Sequence, residues 1–199
     1  MTPAPAANRD PKAARLRIIG GTFRGWRLIY RQWPGTRPMK QRVREALFDL
    51  VGPAVRGKHA IDLFAGSGAL GLEAISRGAV SATFLEQHIP TAELIGRNTV
   101  ALGIASCTEV IPRSAFLWAE QLERVPATAW LVFCSPPYDY YVTRRASMVR
   151  LLSRLTDAAP KGSILIVEAD ERLNFADLPR ATAWDVRCYR PTRLGLLHI

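Results

Sequence analysis

Residues 61–71 read Ile-Asp-Leu-Phe-Ala-Gly-Ser-Gly-Ala-Leu-Gly, an apolar run that passes through a glycine-rich turn into the start of a helical pattern. In open α/β sheets, ligands bind outside the carboxyl ends of the strands, which is where such a turn lies. Glycine also lets the backbone approach a bound nucleotide closely. The stretch therefore predicts a nucleotide-binding turn after the first strand of an α/β domain.

Strand-like and helix-like segments alternate along the chain from residue 59 onward, which is typical of a doubly wound parallel sheet. Strands are predicted near residues 59–64, 81–86, 107–112, 129–134 and 163–168. Helices are predicted near residues 69–77, 90–102 and 144–155. Residues 184–189 and 193–199 predict two more strands, paired antiparallel at one edge. The fold class is α/β and Rossmann-like, with a mostly parallel sheet and an antiparallel C-terminal edge.

Two carboxylates indicate which ligand the turn favours. Asp62 lies in the turn close to where a pyrophosphate would bind, so a cationic ligand suits it better. S-adenosylmethionine carries a sulfonium, an ammonium group and a ribose, and Glu86 at the end of the next strand can accept hydrogen bonds from ribose hydroxyls. The predicted cofactor-binding residues of this part of the chain are Asp62, Phe64, Ala65, Gly66, Ser67, Gly68 and Glu86.

An NAD-binding fold is the alternative at this point. Gly66, Gly68 and Gly71 satisfy the G-x-G-x-x-G pattern of dinucleotide-binding folds. Two features favour S-adenosylmethionine over a dinucleotide: the Asp62 carboxylate, and the lack of a downstream dehydrogenase acid/base constellation.

Ser135-Pro136-Pro137-Tyr138 follows the apolar run of residues 131–134. Two prolines fix φ and remove two backbone donors, which frees the carbonyls of the turn to accept hydrogen bonds from an NH2 group. Ser135 adds a further acceptor, and Tyr138 adds a flat face for stacking. The four residues predict a catalytic turn that holds the exocyclic amine of a nucleic-acid base.

The net charge of +10 is carried entirely by the first 58 residues. They hold 13 lysines or arginines and 3 aspartates or glutamates, whereas residues 59–199 hold 14 of each sign. Such asymmetry points to a polyanionic partner whose phosphates the basic residues contact.

The basic part of the chain divides into an arm and a structured segment. Residues 1–14 are rich in proline and alanine and predict a flexible arm. Residues 16–28 predict a hairpin around Gly20-Gly21, and Pro38 opens a helix with Lys40 and Arg44 on one exposed side. The candidate nucleic-acid contacts are Arg17, Arg24, Arg27, Arg37, Lys40 and Arg44.

Composition excludes several other classes. No stretch approaches the roughly 18 consecutive apolar residues of a membrane helix, and residues 1–14 have no signal-peptide core, so a cytoplasmic protein is expected. Cys107, Cys134 and Cys188 are far apart and have no nearby histidine pairs, which predicts reduced thiols rather than disulfides or a metal site.

Together these motifs resemble class I S-adenosylmethionine-dependent methyltransferases, and more narrowly the bacterial 16S ribosomal RNA guanine-N2 methyltransferase family, of the guanine 966 type. The resemblance rests on residues 17–25, 37–48 and 62–74 and on the Pro-Pro-aromatic turn. It implies S-adenosylmethionine as cofactor, small-subunit ribosomal RNA or a 30S assembly particle as partner, and a monomer. It divides the chain into the arm of residues 1–14, an RNA-binding segment of residues 15–58 and a methyltransferase domain of residues 59–199.

The resemblance also implies roles at two positions where this chain departs from the family. Ser114 and Ala115 stand where an Asp or Asn usually meets the adenine amino group, and both are expected to contact the cofactor. Ser135 replaces the usual Asp before Pro-Pro, so Ser135→Asp is expected to accelerate methyl transfer. Two alternatives stay open: methylation of adenine N6 or cytosine N4 in DNA or RNA, and a binding protein that has lost catalysis.

Overall fold

The computed structural model of the protein describes residues 16–31 and 39–199. The strands are β1 His59–Asp62, β2 Ser81–Leu85, β3 Thr108–Ile111, β4 Trp130–Cys134, β5 Ile164–Ala169, β6 Asp185–Tyr189 and β7 Thr192–His198. The α-helices are α1 Gln41–Val51, α2 Ala69–Ser76, α3 Ile89–Ala101, α4 Ala115–Trp118, α5 Tyr140–Thr143 and α6 Arg145–Ala158. Short 3-10 segments lie at Gly52–Val55, Ala105–Cys107, Ala119–Arg124, Phe175–Asp177 and Ala181–Ala183.

Within the described residues one sheet holds all seven strands in the order β3-β2-β1-β4-β5-β7-β6. Strands β1 to β5 pair parallel, and β7 runs antiparallel to both β5 and β6. The predicted α/β fold with an antiparallel C-terminal edge is confirmed. Because the strand order reverses between β1 and β4, the carboxyl ends of these strands form the crevice in which open α/β sheets bind ligands.

Two apolar layers cover the faces of the sheet, as the alternation of side chains along a strand requires. Phe133 in β4 points into the layer that contains α1 and packs on Phe48 with ring centroids 5.7 Å apart. Its neighbours Val132 and Cys134 point into the opposite layer, which contains α6. Strands buried on both faces are apolar throughout, which is why their sequence signal was strong.

Buried polar side chains of α2 and α3 attach residues 16–31 to the sheet domain. Glu73, with no exposed surface, accepts hydrogen bonds from the backbone N–H groups of Ile19 and Gly20 at 2.7 and 2.8 Å. Asn98 accepts from the N–H of Ile29 at 2.8 Å and donates to its carbonyl at 2.9 Å. Side chains of the domain thus replace the backbone partners that a sheet would supply.

The predicted hairpin is wrong in its turn and in its extent. Arg17 and Arg27 form an isolated antiparallel bridge instead of two paired strands, and the turn falls at residues 22–25. Gly20-Gly21 cannot form that turn because their backbone lies against α2. Gly21 has φ +75°, and an added Cβ would lie 1.8 Å from the Ser76 carbonyl oxygen.

Helix α1 begins at Gln41, while the predicted start at Pro38 lies outside the described residues. No helix in the described part of the chain has both the length and the apolarity that crossing a membrane requires.

Candidate active site

An open cleft of about 510 Å³ lies at the carboxyl ends of β1, β2, β4 and β5. This volume is within the roughly 300–1,000 Å³ of small-molecule sites. Of the predicted catalytic and cofactor residues, those that line it are Phe64, Ala65, Gly66, Ser67, Glu86, Ser114, Ala115, Ser135, Pro136, Pro137 and Tyr138. The sheet therefore brings the glycine-rich turn and the Ser-Pro-Pro-Tyr turn to one cavity.

The glycine-rich turn is fixed by the neighbouring strand. Gly66 donates its N–H to Glu86 Oε2 at 2.8 Å, and the other Glu86 oxygen accepts from the N–H of His88 at 2.8 Å. Gly66 has φ +51°, and an added Cβ there would meet no atom closer than 4.0 Å. A ligand can therefore approach this backbone directly. Each Glu86 oxygen keeps a lone pair for a ligand hydroxyl.

Asp62 does not lie where the sequence predicted. It is 1% exposed, does not line the cleft, and accepts a hydrogen bond through Oδ2 from the Gly71 N–H at 3.2 Å. Burial raises the pKa of this carboxyl to about 7. The other oxygen, Oδ1, is buried without a partner among the described residues. Asp62 therefore supports the turn from behind through its bond to Gly71, and it is buried because it lies at the end of β1 between β2 and β4.

Gly68 likewise has a packing role. Its φ is +73°, and an added Cβ would lie 3.1 Å from a methyl carbon of Ile95 in α3. Gly68 is the residue before α2 and does not line the cleft.

Three aromatic side chains in mutual contact form one wall of the cleft. The ring centroids of Phe64 and Phe116 are 5.9 Å apart, and that of Tyr140 lies 6.1 Å from Phe64 and 6.2 Å from Phe116. Phe116 follows Ser114 and Ala115 at the start of α4. A wall of this kind offers a flat apolar surface to a planar ring such as adenine. Of the three, only Phe64 was predicted from the sequence.

Glu168 at the end of β5 connects the residues of the catalytic turn. Its Oε2 accepts a hydrogen bond from the Ser135 hydroxyl, and its Oε1 accepts one from the Tyr138 hydroxyl at 2.9 Å. The Tyr138 oxygen also lies 3.0 Å from Oγ1 of Thr192 in β7. Burial raises the pKa of the Glu168 carboxyl, although the two hydroxyl donors act against that rise. The carboxylate that binds the hydroxyls of the catalytic turn therefore comes from β5 and not from the four residues of the turn.

The two prolines of the turn differ in exposure. Pro136 is buried and Pro137 is exposed, and the Pro137 carbonyl accepts from the Tyr140 N–H at 2.9 Å. Within the described residues the Pro136 carbonyl accepts no hydrogen bond. The sequence predicted that the carbonyls of the turn are free, whereas the Pro137 carbonyl is occupied and only the Pro136 carbonyl has no donor among the described residues.

Most of the predicted basic contacts are exposed. Arg17, Arg24 and Arg27 are exposed, and the bridge between Arg17 and Arg27 places their side chains on the same side. Lys40 is exposed and lines the cleft as well. Arg37 lies outside the described residues.

Arg44 contradicts the expectation of an exposed basic residue. It is 1% exposed, and its Nη2 donates to the carbonyl of Arg17 at 2.7 Å. Burial lowers the pKa of this guanidinium, while the nearby Glu73 carboxylate acts in the opposite direction. Arg44 is adjacent to the buried stripe of α1 and holds the segment that packs over it, so it is not a surface contact for RNA.

One simple signal would have found Glu168. Parallel strands end at one edge of the sheet, and the register that pairs Cys134 with Val167 sets Ser135 beside Glu168. A lone acidic residue at the end of an apolar strand is therefore a site candidate once the strand order is known. Thr192, Phe116 and Tyr140 carry no comparable signal. No cluster of metal-ligating side chains occurs among residues 16–31 and 39–199.

Comparison with known proteins identifies the family. The family model described as Conserved hypothetical protein 95 matches residues 16–193. Ribosomal RNA small subunit methyltransferase D of Escherichia coli (strain K12) is 36% identical over 145 residues, which are 73% of this chain and 69% of that protein.

Solved structures agree with this match. The Escherichia coli protein yhhF has a TM-score of 0.73 at 29% identity, covering 92% of this chain and 97% of its own. An RNA methyltransferase of Salinibacter ruber, solved with S-adenosyl-L-homocysteine, shares the fold at a TM-score of 0.57 and 13% identity, covering 81% and 92% of the two chains. The chain therefore belongs to the Conserved hypothetical protein 95 family and to the ribosomal RNA small subunit methyltransferase D group of Rossmann-like, class I S-adenosylmethionine-dependent methyltransferases.

Proposed function

We propose that this protein transfers a methyl group from S-adenosylmethionine to the exocyclic N2 amine of a guanine in small-subunit (16S) ribosomal RNA, at guanine 966. One observation carries the proposal. A single cleft is lined both by the glycine-rich turn, which suits a nucleoside-containing methyl donor, and by the Ser135–Tyr138 turn, which suits an exocyclic amine. The RNA methyltransferase names of the relatives support the class of substrate.

The residues of the cleft fit S-adenosylmethionine. The open backbone at Gly66 admits the ligand, Glu86 would accept from its ribose, and the wall at Phe64 and Phe116 would contact its adenine. When bound, the cofactor supplies an electrophilic methyl group on a sulfonium.

The Ser-Pro-Pro-Tyr turn would hold the target amine. The N2 lone pair of guanine is delocalised into the ring, so the amine is a poor nucleophile. Hydrogen bonds to Ser135 Oγ and to the Pro136 carbonyl favour the more tetrahedral nitrogen of the transition state. The ring of Tyr138, whose hydroxyl is fixed by Glu168 and Thr192, would stack on a base that has left its helix. Positioning of this kind contributes on the order of 7–11 kcal/mol to lowering the barrier.

Residues 15–58 would form the RNA-binding segment and residues 59–199 the methyltransferase domain. Arg17, Arg24 and Arg27 present positive charge on the segment, and the wall of the cleft includes Met39 and Lys40 from the same segment. Phosphates bound on this segment would therefore lie beside the cleft that takes the base. The protein is proposed to act on the RNA or on a 30S assembly particle as a monomer.

The test is transfer of labelled methyl from S-adenosylmethionine to small-subunit particles and to naked ribosomal RNA from cells that lack the protein, followed by nucleoside analysis. N2-methylguanosine at one site is the expected product. N6-methyladenosine or N4-methylcytosine would show a different amino-methyltransferase, and cofactor binding without transfer would show a binding protein. Glu86→Ala should weaken cofactor binding, whereas Glu109→Ala, exposed on β3, serves as its matched control.

A further inference from the structure

Glu168 is a buried carboxylate at the cleft, and no residue pattern of the sequence had assigned it a role. It is 6% exposed, and its carboxylate receives hydrogen bonds from the hydroxyls of Ser135 and Tyr138. It also lines the cavity that the catalytic turn lines. Burying a carboxylate is unfavourable unless it is hydrogen-bonded. The two hydroxyl donors therefore stabilise the buried Glu168 carboxylate and fix its orientation.

The hydrogen bond to Glu168 determines what Ser135 offers to a ligand. A hydroxyl has one proton and two lone pairs. Because the Ser135 proton is directed at Glu168, the lone pairs of Oγ remain for donors in the cleft. A hydroxyl that donates to a carboxylate is also a stronger acceptor than an isolated hydroxyl, since bonds in such a chain polarise one another.

We propose that Glu168 is a positioning and proton-accepting residue for methyl transfer, acting through the Ser135 hydroxyl on the target amine. The inference rests on the proposed function, because it needs an exocyclic amine at Ser135. In this arrangement the neighbouring strand β5 supplies the carboxylate of the turn, because the parallel register of β4 and β5 sets Ser135 beside Glu168.

After methyl transfer, the nitrogen loses a proton through Ser135 to Glu168. The amine nitrogen forms a bond to the methyl carbon as the bond from that carbon to sulfur breaks, and the sulfur keeps the electron pair. The nitrogen, now positively charged, gives a proton to Ser135 Oγ. Ser135 gives its own proton to Glu168 Oε2, which becomes a neutral carboxylic acid. The proton returns to solvent when the products leave.

This arrangement reverses the sequence-based expectation for Ser135→Asp. An Asp at this position would place a second carboxylate against Glu168, and two carboxylates sharing a site cannot both ionise readily. The single variant should therefore be slower than the wild type. Ser135→Asp combined with Glu168→Gln moves the acid from position 168 to position 135, and this double variant should be faster than either single variant.

The groups that face Glu168 define its titration. From the turn after β4 these are Ser135 and Tyr138, and from α5 the Tyr141 hydroxyl, which donates to the Glu168 backbone carbonyl. Thr192 of β7 contacts the Tyr138 hydroxyl. Asp170 follows on its own segment and is paired with Arg172. The single-turnover rate should fall as the pH is lowered and Glu168 becomes protonated.

The experiment measures single-turnover methyl transfer against pH for the wild type, Glu168→Gln, Ser135→Ala and the double variant Ser135→Asp/Glu168→Gln. Glu168→Gln should be roughly 100-fold slower, and its rate should show no acid limb. Affinity for S-adenosylhomocysteine and the urea unfolding midpoint should stay near the wild-type values. Glu171→Gln, an exposed glutamate three residues on, is the matched control and should behave as the wild type.

Four outcomes overturn the proposal. If Glu168→Gln transfers methyl within about threefold of the wild-type rate, Glu168 is not the proton acceptor, because such a group contributes roughly 100-fold or more. An acid limb that persists in Glu168→Gln assigns the titration to another group. A double variant no faster than its parents shows that Glu168 acts only on the fold. Wild-type protein that transfers no methyl overturns both this inference and the proposed function, whereas N2 transfer that Glu168→Gln leaves unchanged overturns this inference alone.

Discussion

Replacing Glu73 by alanine should release the basic N-terminal segment from the domain. The carboxylate has no exposed surface and accepts from the N–H groups of Ile19 and Gly20 and from Nε of Arg77. Arg77 can turn to water, but the two N–H groups would lose their partner. Hydrogen bonds to a charged group contribute about 1.5–3 kcal/mol each, so the loss of two should weaken docking by about 3–6 kcal/mol.

Hydrogen exchange measures this loss where it occurs. A loss of about 3 kcal/mol corresponds to exchange of the Ile19 and Gly20 amides that is roughly 100-fold faster. Affinity for ribosomal RNA should fall in the same variant, while affinity for the cofactor stays unchanged. Glu93→Ala, exposed in α3, is the control. Exchange less than about threefold faster than in the wild type, a loss of only about 0.7 kcal/mol, would refute the role of Glu73, because a loss of about 3 kcal/mol is expected.

Three further predictions test the turn, the packing and the basic surface. Burial raises the pKa of Asp62 in the folded state from its ordinary 3.8 to about 7. The fold therefore loses stability as the pH rises between these two values. At 1.36 kcal/mol per pKa unit the loss is about 4 kcal/mol. Asp62→Asn should remove that pH dependence, as urea unfolding at pH 5 and pH 8 will show. Gly71→Ala would place a Cβ 2.3 Å from the buried Phe84 ring and should destabilise the fold by about 1–3 kcal/mol. Gly96→Ala, where an added Cβ would have no atom within 4 Å, should stabilise the fold by up to about 1 kcal/mol. Equal unfolding midpoints for the two variants would contradict this reasoning. Arg27→Ala should weaken RNA binding and reduce the slope of log affinity against log salt by about one, and an unchanged slope would remove Arg27 from the interface.

The strands and helices of the sheet domain could be predicted because their signal is local. Apolar runs and helical spacing placed every predicted element after residue 58 within a few residues of its observed bounds, from β1 His59–Asp62 to β7 Thr192–His198. The glycine-rich turn and the Pro-Pro turn were also local, since glycine and proline restrict the backbone by their own chemistry.

The sequence-based predictions were wrong or incomplete at positions whose environment depends on tertiary contacts. The helical pattern predicted Arg44 on an exposed side of α1, but Arg44 is buried and donates to the Arg17 carbonyl of the N-terminal segment. The turn at Gly20-Gly21 shifted because α2 occupies the backbone groups that the hairpin needed. Glu168 is one acidic residue at the end of an apolar strand, and its importance depends on the strand that lies beside it. The first two facts depend on how the N-terminal segment packs on α1 and α2, and the third depends on the order of the strands.

The three carboxylates at this edge of the sheet show how environment divides similar groups among different roles. Asp62 receives one backbone donor and is fully buried, so burial raises its pKa to about 7 and it supports the turn. Glu86 lines the cleft and is fixed by two backbone N–H groups, which suits a permanent acceptor for a ribose. Glu168 receives only hydroxyl donors, and a hydroxyl can pass a proton along. The donor that each carboxylate meets therefore predicts whether it supports, binds or accepts a proton, and exchanging that donor should exchange the role.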